Sequence, residues 1–268
     1  MTIYDNCDNM TDVLHWLGIA ENAALEAGEA VMRIYRSGKL DIGVKPDASP
    51  ITRADRSAQD IIFRHLGGTG LPVLSEEADS ADHRRRMKWD YFWMVDPLDG
   101  TKEFIGGRDE FTVNIALMRG MVPTGGVIHA PARDVLYTGS KAGGVWKKQG
   151  GKVLKLPPLA IRPSIQDLRQ KERVTVVVSR SHLSGETMDF IRQFPDVSLI
   201  SMGSSLKFMA LVEGTADIYP RLGVTMEWDT AAAHAILHAS NRGVYEMNMS
   251  TELRYNKPDL RNPFFIAF

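Results

Sequence analysis

Residues Tyr91–Thr101 read Tyr-Phe-Trp-Met-Val-Asp-Pro-Leu-Asp-Gly-Thr. The first five are apolar at every position, so a strand built from them has no face for water. Such a strand must lie inside a sheet covered on both sides, which demands a layered α/β construction. The run stops abruptly at Asp96. Pro97 has no amide hydrogen, so the ladder is expected to stop there. The C-terminal end of a strand in an α/β sheet opens onto a ligand crevice. Asp96, the carbonyl of Leu98 and Asp99 would gather there as a hard, all-oxygen cluster, suited to Mg²⁺ or Mn²⁺. Gly100 and Thr101 would open the next segment with backbone amides that favour phosphate oxygens. Turn and capping chemistry accounts for the same acids equally simply.

The surrounding pattern supports layers. Apolar residues from Val13 to Tyr35 recur at helical spacing, which predicts a helix over roughly Thr11–Ser37 that Gly38 ends. A loop at Val44–Pro50 precedes a second helix, roughly Thr52–Leu66, with Thr52 as N-cap and Asp55 three residues on. In Phe111–Leu117, Phe111, Val113, Ile115 and Leu117 alternate onto one face. Three glycine-punctuated segments then suggest an antiparallel meander, followed by a linker from about Pro157 to Lys171. The second half alternates short strands with helices, the last helix capped by Asp229 or Thr230.

Charge narrows the function. Among 268 residues, 32 basic side chains face 33 acidic ones, so no net charge drives the chain to nucleic acid or an anionic membrane. The basic run at His83–Lys88 reads as a solvated loop. One cysteine, Cys7, excludes an internal disulfide framework and a cysteine-rich zinc site, and points to a reducing compartment. The first residues do not read as a signal peptide, and no apolar run is long enough to span a bilayer. The histidines, among them His129, His234 and His238, read as structural.

Further acids stand at element ends: Glu76 and Glu77 after an apolar run, Asp229 before an alanine-rich helix, Asp55 in the second helix. Each alone is ordinary capping. Together with the segments Asp47–Gln59, Leu74–Glu77, Val95–Phe104, Gly203–Phe208 and Tyr219–Ala235, they resemble the inositol monophosphatase-like, lithium-sensitive, Mg²⁺-dependent phosphatases. Within these, the similarity is greatest to the bacterial 3′(2′),5′-bisphosphate nucleotidases. Val224, Ala233 and Ser240–Gly243 depart from that subgroup's usual residues, and none is a ligand position.

The resemblance implies an αβαβα sandwich, with an N-terminal metal-binding domain over 1–157 and a C-terminal domain over 158–268 completing the site. It implies Glu76 as a ligand shared by two Mg²⁺ ions, Asp96 and the Leu98 carbonyl in one site, and Asp99 and Asp229 in the other. Asp55 and Thr101 would orient and deprotonate the attacking water. Lys45 would approach a third, weaker ion, and Mn²⁺ could substitute. The substrate would be a small phosphorylated nucleotide, its reacting phosphate held by Asp99, Gly100, Thr101, Lys102 and Asp229. Its second phosphate would be held by His182, Ser204, Ser205, Lys207 and Arg221. An inositol or sugar monophosphatase, and a non-catalytic nucleotide-binding regulator, stay open as alternatives. The compartment implied is the cytoplasm, with loose attachment to the cytoplasmic face of a membrane also open. No motif sets an oligomeric state.

Overall fold

The structure is a computed structural model describing residues 8–45, 48–78, 81–180 and 184–268. Chain order begins with α1 (Asp8–Ser37), β1 (Gly43–Val44), β2 (Pro50–Ile51), α2 (Arg53–Gly67), β3 (Val73–Ser75) and α3 (His83–Arg86). Then come β4 (Tyr91–Asp99), α4 (Thr101–Ile105), β5 (Thr112–Arg119), β6 (Val122–Ala130), β7 (Val135–Ser140), β8 (Gly144–Gln149) and β9 (Lys152–Leu156). β3 to β9 form one seven-stranded sheet in sequence order, antiparallel except for the β3–β4 pair.

The two-faced burial expected of β4 is present. Trp93 and Val95 pack under α1 and α2 with Phe111, Val113, Ile115 and Leu117. Phe92 and Met94 pack on the opposite face with Ala116 and Met118. Each fully buried aliphatic or aromatic side chain of this kind contributes about 1.5–3 kcal/mol, so a sheet covered on both faces is the main source of stability in this half.

The second half adds α5 (Ile165–Gln170), β10 (Val174–Ser179), α6 (Gly185–Ile191), β11 (Val197–Met202), α7 (Leu206–Val212), β12 (Tyr219–Arg221), α8 (Glu227–Ala239), β13 (Val244–Glu246) and β14 (Phe265–Ala267). β10 and β11 are parallel, while β12, β14 and β13 form an antiparallel trio. A parallel bridge between Val176 and Ile218 joins the two sets. α7 and α8 lie between this layer and the large sheet, and α5 and α6 cover its outer face. The layers therefore run α, β, α, β, α, as the resemblance implies.

Three local expectations are corrected. β4 does not end at Pro97: Asp96 pairs with Asn114 and Asp99 with Thr112, with a register shift between them. The rung that proline cannot make is absorbed by an irregularity, and pairing resumes. The expected linker holds α5, whose start is a capping box between Ser164 and Asp167. α8 is not capped by Asp229 or Thr230. It starts at Glu227, and Asp229, in its first turn, accepts the Met226 N–H at 2.8 Å. Arg221 is the last residue of β12.

Candidate active site

Asp55 is buried in the first turn of α2. Its Oδ2 accepts the Thr52 N–H at 2.7 Å and the Thr52 hydroxyl at 2.6 Å, the capping box read from sequence. Oδ1 faces the Thr101 hydroxyl at 3.4 Å, and that hydroxyl also reaches the Leu98 carbonyl at 3.1 Å. Gly100 adopts a φ of 89° to start α4, a conformation glycine takes freely. A side chain there would press on the Glu110 carbonyl at 3.0 Å. Thr101 is thereby turned back toward α2.

Three acids converge beside this pair, Glu76 from the turn after β3, Asp96 from β4 and Asp229 from α8. Oxygens of Glu76, Asp96 and Asp229 all lie within 4.8 Å of one another. Asp96 Oδ1 is steadied by the Leu98 N–H at 3.0 Å. Asp99 Oδ2 lies 3.4 Å from both Thr112 Oγ1 and Asn114 Nδ2. Asn114 Nδ2 also reaches Ser205 Oγ at 3.0 Å, and Ser205 Oγ donates to the Asp229 carbonyl at 3.0 Å. That chain of contacts ties β5 to the start of α7 and to α8.

Electrostatics shows what the cluster lacks. Asp96 is pushed well above the usual carboxylate range, first by burial and then by Glu76, Asp99 and Asp229. Asp229 is raised in the same way, by burial and then by Asp99 and Glu76. Glu76, Asp99 and Asp55 are also raised, burial leading in each. Converging carboxylates of this kind call for cationic charge. Lys45 supplies some: its Nζ lies 2.7 Å from Glu76 Oε1 and also contacts Glu77. The donors facing one another are all oxygens, so they fit hard divalent ions such as Mg²⁺ or Mn²⁺.

A cavity of about 250 Å³ joins Glu76, Asp99, Gly100, Thr101, Lys102 and Asp229 to Ser204, Ser205, Lys207 and Arg221. Lys207 is buried, and its Nζ donates to the Ser204 carbonyl at 2.6 Å. Burial, reinforced by Arg221, pushes its ammonium down to about 8. Arg221 Nη2 donates to the Val224 carbonyl at 3.1 Å. Ser204 holds a φ of 45°, and its buried hydroxyl has no hydrogen-bond partner among the described residues. Two buried cations beside such a hydroxyl make a ready anion site. α7 begins at Leu206, and Ser204 and Ser205 form the turn before it. His182 lies outside the described residues.

Three residues that brace the candidate site escape the sequence reading. Thr112 and Asn114 are polar side chains within an apolar strand, and that misfit was the available signal. Glu110 is half of a junction between chain halves. It accepts Arg133 Nη2 at 3.1 Å, Arg180 Nε at 2.8 Å and the Gly203 N–H at 2.9 Å, so it fixes the backbone just before Ser204. No local pattern announces that role.

Known proteins resemble this chain in sequence and fold. Residues 12–263 match the inositol monophosphatase family. The chain is 42% identical over 226 residues to the 3′(2′),5′-bisphosphate nucleotidase CysQ of Escherichia coli (strain K12), covering 83% of this chain and 87% of that protein. It is 40% identical over 245 residues to CysQ of Salmonella typhimurium (strain LT2), covering 90% and 95%. The crystal structure of CysQ from Bacteroides thetaiotaomicron superposes with a TM-score of 0.80 at 41% identity, over 99% of this chain and 98% of the other.

Proposed function

Because the chain belongs to the inositol monophosphatase family, we infer that it is a 3′(2′),5′-bisphosphate nucleotidase. It hydrolyses 3′-phosphoadenosine 5′-phosphate to AMP and phosphate. The observation that carries the substrate reading is one cavity holding both a carboxylate cluster and the buried Lys207–Arg221 pair. A simple monophosphate has nothing to place against the second group. The names of the relatives similar to this chain point the same way.

Glu76, Asp96, the Leu98 carbonyl, Asp99 and Asp229 would hold two Mg²⁺ ions, with Mn²⁺ as a substitute and a third, weaker site near Lys45. When bound, such ions supply Lewis-acid chemistry, acidifying water and offsetting charge on phosphate oxygens. The chain's own residues do the rest. Asp55 Oδ1 and the Thr101 hydroxyl orient the attacking water and take its proton. Backbone amides at Gly100 and Thr101 hold the reacting phosphate, and Lys102, on the cavity wall, adds charge to it. Ser204, Ser205, Lys207 and Arg221 hold the 5′-phosphate, and His182 joins them in that role. Residues 1–157 carry most of the metal-binding groups, and 158–268 supply Asp229 and the second anion site. Lithium in a magnesium position would trap product, so activity is expected to fall with lithium chloride and not with sodium chloride at equal ionic strength.

The deciding experiment compares kcat/KM for the bisphosphate and for inositol monophosphate in wild type and Arg221→Glu. The variant is expected to lose the bisphosphate far more than the monophosphate, because a glutamate repels the 5′-phosphate. Wild type preferring inositol monophosphate, or equal losses on both substrates, would sink this reading.

A further inference from the structure

His234 and His238 stand four residues apart on α8, so both rings leave one face of the helix. They lie roughly 7 and 13 Å of helix rise beyond Asp229, away from the catalytic cluster. Glu252 faces them from the segment after β13. Its Oε2 is 2.7 Å from His238 Nε2 and 3.5 Å from His234 Nε2. One nitrogen of each ring and one carboxylate oxygen lie within 4.8 Å of one another. The three side chains line a cavity of about 340 Å³, which gives them access to solvent.

The second observation concerns His234. It is buried, and its Nε2 makes no hydrogen bond among the described residues. The ring cannot turn to relieve this, because its Nδ1 is engaged with Tyr255 Oη at 3.0 Å. With Nδ1 engaged by Tyr255, Nε2 is the ring atom that faces the Glu252 carboxylate. Metal-ligating histidines are arranged in this way, their other nitrogen tied to a supporting group. Burial foremost holds His234 below the usual histidine range, so the ring is neutral. The other oxygen of Glu252 is held by Arg162, which in turn donates to the Arg242 carbonyl at 2.8 Å. The carboxylate is thus oriented with Oε2 left for the cluster.

We propose that His234, His238 and Glu252 form a second metal site, for Zn²⁺ or a similar nitrogen-seeking ion. Two imidazoles and one carboxylate select such ions over Mg²⁺, which prefers all-oxygen donors. Binding at His238 Nε2 replaces its contact with Glu252 Oε2, and a hydrogen on that nitrogen passes to Nδ1 or to solvent. The ion would tie α8 to the segment carrying Glu252 and Tyr255.

The test uses the full chain with Cys7→Ser, which removes the only thiol. The protein is stripped with chelator and held in excess Mg²⁺ to fill the oxygen site. Zn²⁺ is then titrated by calorimetry, and Co²⁺ by visible absorption. One equivalent of Zn²⁺ is expected, with a Co²⁺ spectrum typical of nitrogen ligation. His238→Ala and Glu252→Gln should each weaken uptake at least about tenfold, with folding checked by circular dichroism, while Asp96→Asn keeps it. No uptake above the Mg²⁺ background overturns the proposal. So does uptake unchanged in both variants, or uptake lost in Asp96→Asn and kept in His238→Ala.

Discussion

Asp55 divides its two oxygens between structure and chemistry. Oδ2 closes the start of α2 and Oδ1 is left to face Thr101. Thr101→Ala is expected to lower kcat at least about a hundredfold, the low end for losing general-base help. The Mg²⁺ concentration for half-activation should move little, because the carboxylates remain. Thr101→Ser, which keeps the hydroxyl, should recover most of the rate; a serine variant as slow as alanine would remove the hydroxyl's role. Lys207 makes a pH prediction. Its ammonium, depressed to about 8 by burial first, is charged below that pH and neutral above it. Affinity for a 5′-phosphate therefore falls as pH rises through about 8. The profile of kcat/KM for the bisphosphate should turn down there, and Lys207→Arg should shift the turn upward. The acids were legible at this scale because charge at the end of an apolar run is conspicuous. Thr112, Asn114 and Glu110 were not, since their roles depend on partners 13 to 93 positions distant.

At the scale of elements, α8 is the piece whose position matters most, because it carries Asp229 to Glu76, in the turn after β3, and to Asp96 in β4. It lies very close to the large sheet at Gly126 in β6. A methyl group there would stand 2.1 Å from the Ala232 carbonyl oxygen. Neither backbone can yield without moving the helix. Gly126→Ala should therefore cost about 1–3 kcal/mol, as overpacking does, read as a lower Tm by thermal unfolding. It should also lower kcat, since Asp229 shifts with the helix. A Tm within error of wild type would show that the sheet and helix are not held at this distance in solution. The irregularity in β4 has the same kind of consequence. By resuming pairing at Asp99, it keeps both aspartates on a braced strand rather than in a loose turn.

Across the whole molecule, the site is a meeting of like charges drawn from both chain halves. Chelator should abolish activity, and Mg²⁺ should restore it and raise the Tm. Asp96→Asn gives a sharper test. It removes one of several buried carboxylates that repel one another and keeps the oxygen that accepts the Leu98 N–H. The variant should lose activity yet unfold at a higher temperature than wild type when both are metal-free. A lower Tm for metal-free Asp96→Asn would contradict the account of the cluster as strained by its own charge.

The sequence by itself determined the layered class, the acids that close the apolar run of β4, the α2 capping box and the family. All of these follow from local composition and order: apolar runs, capping pairs and motifs contiguous in the chain. It also supplied the acids, through their placement at element ends. Only the tertiary structure decided that oxygens of Glu76, Asp96 and Asp229 come within 4.8 Å of one another. It alone decided that Pro97 interrupts a ladder without ending it, and that Asp229 serves in the first turn of α8 rather than as its cap. It also turned His234 and His238, structural by their pattern, toward Glu252. In each case the deciding partner lies elsewhere in the chain, and distance in space is set by how layers pack, which no local spacing encodes.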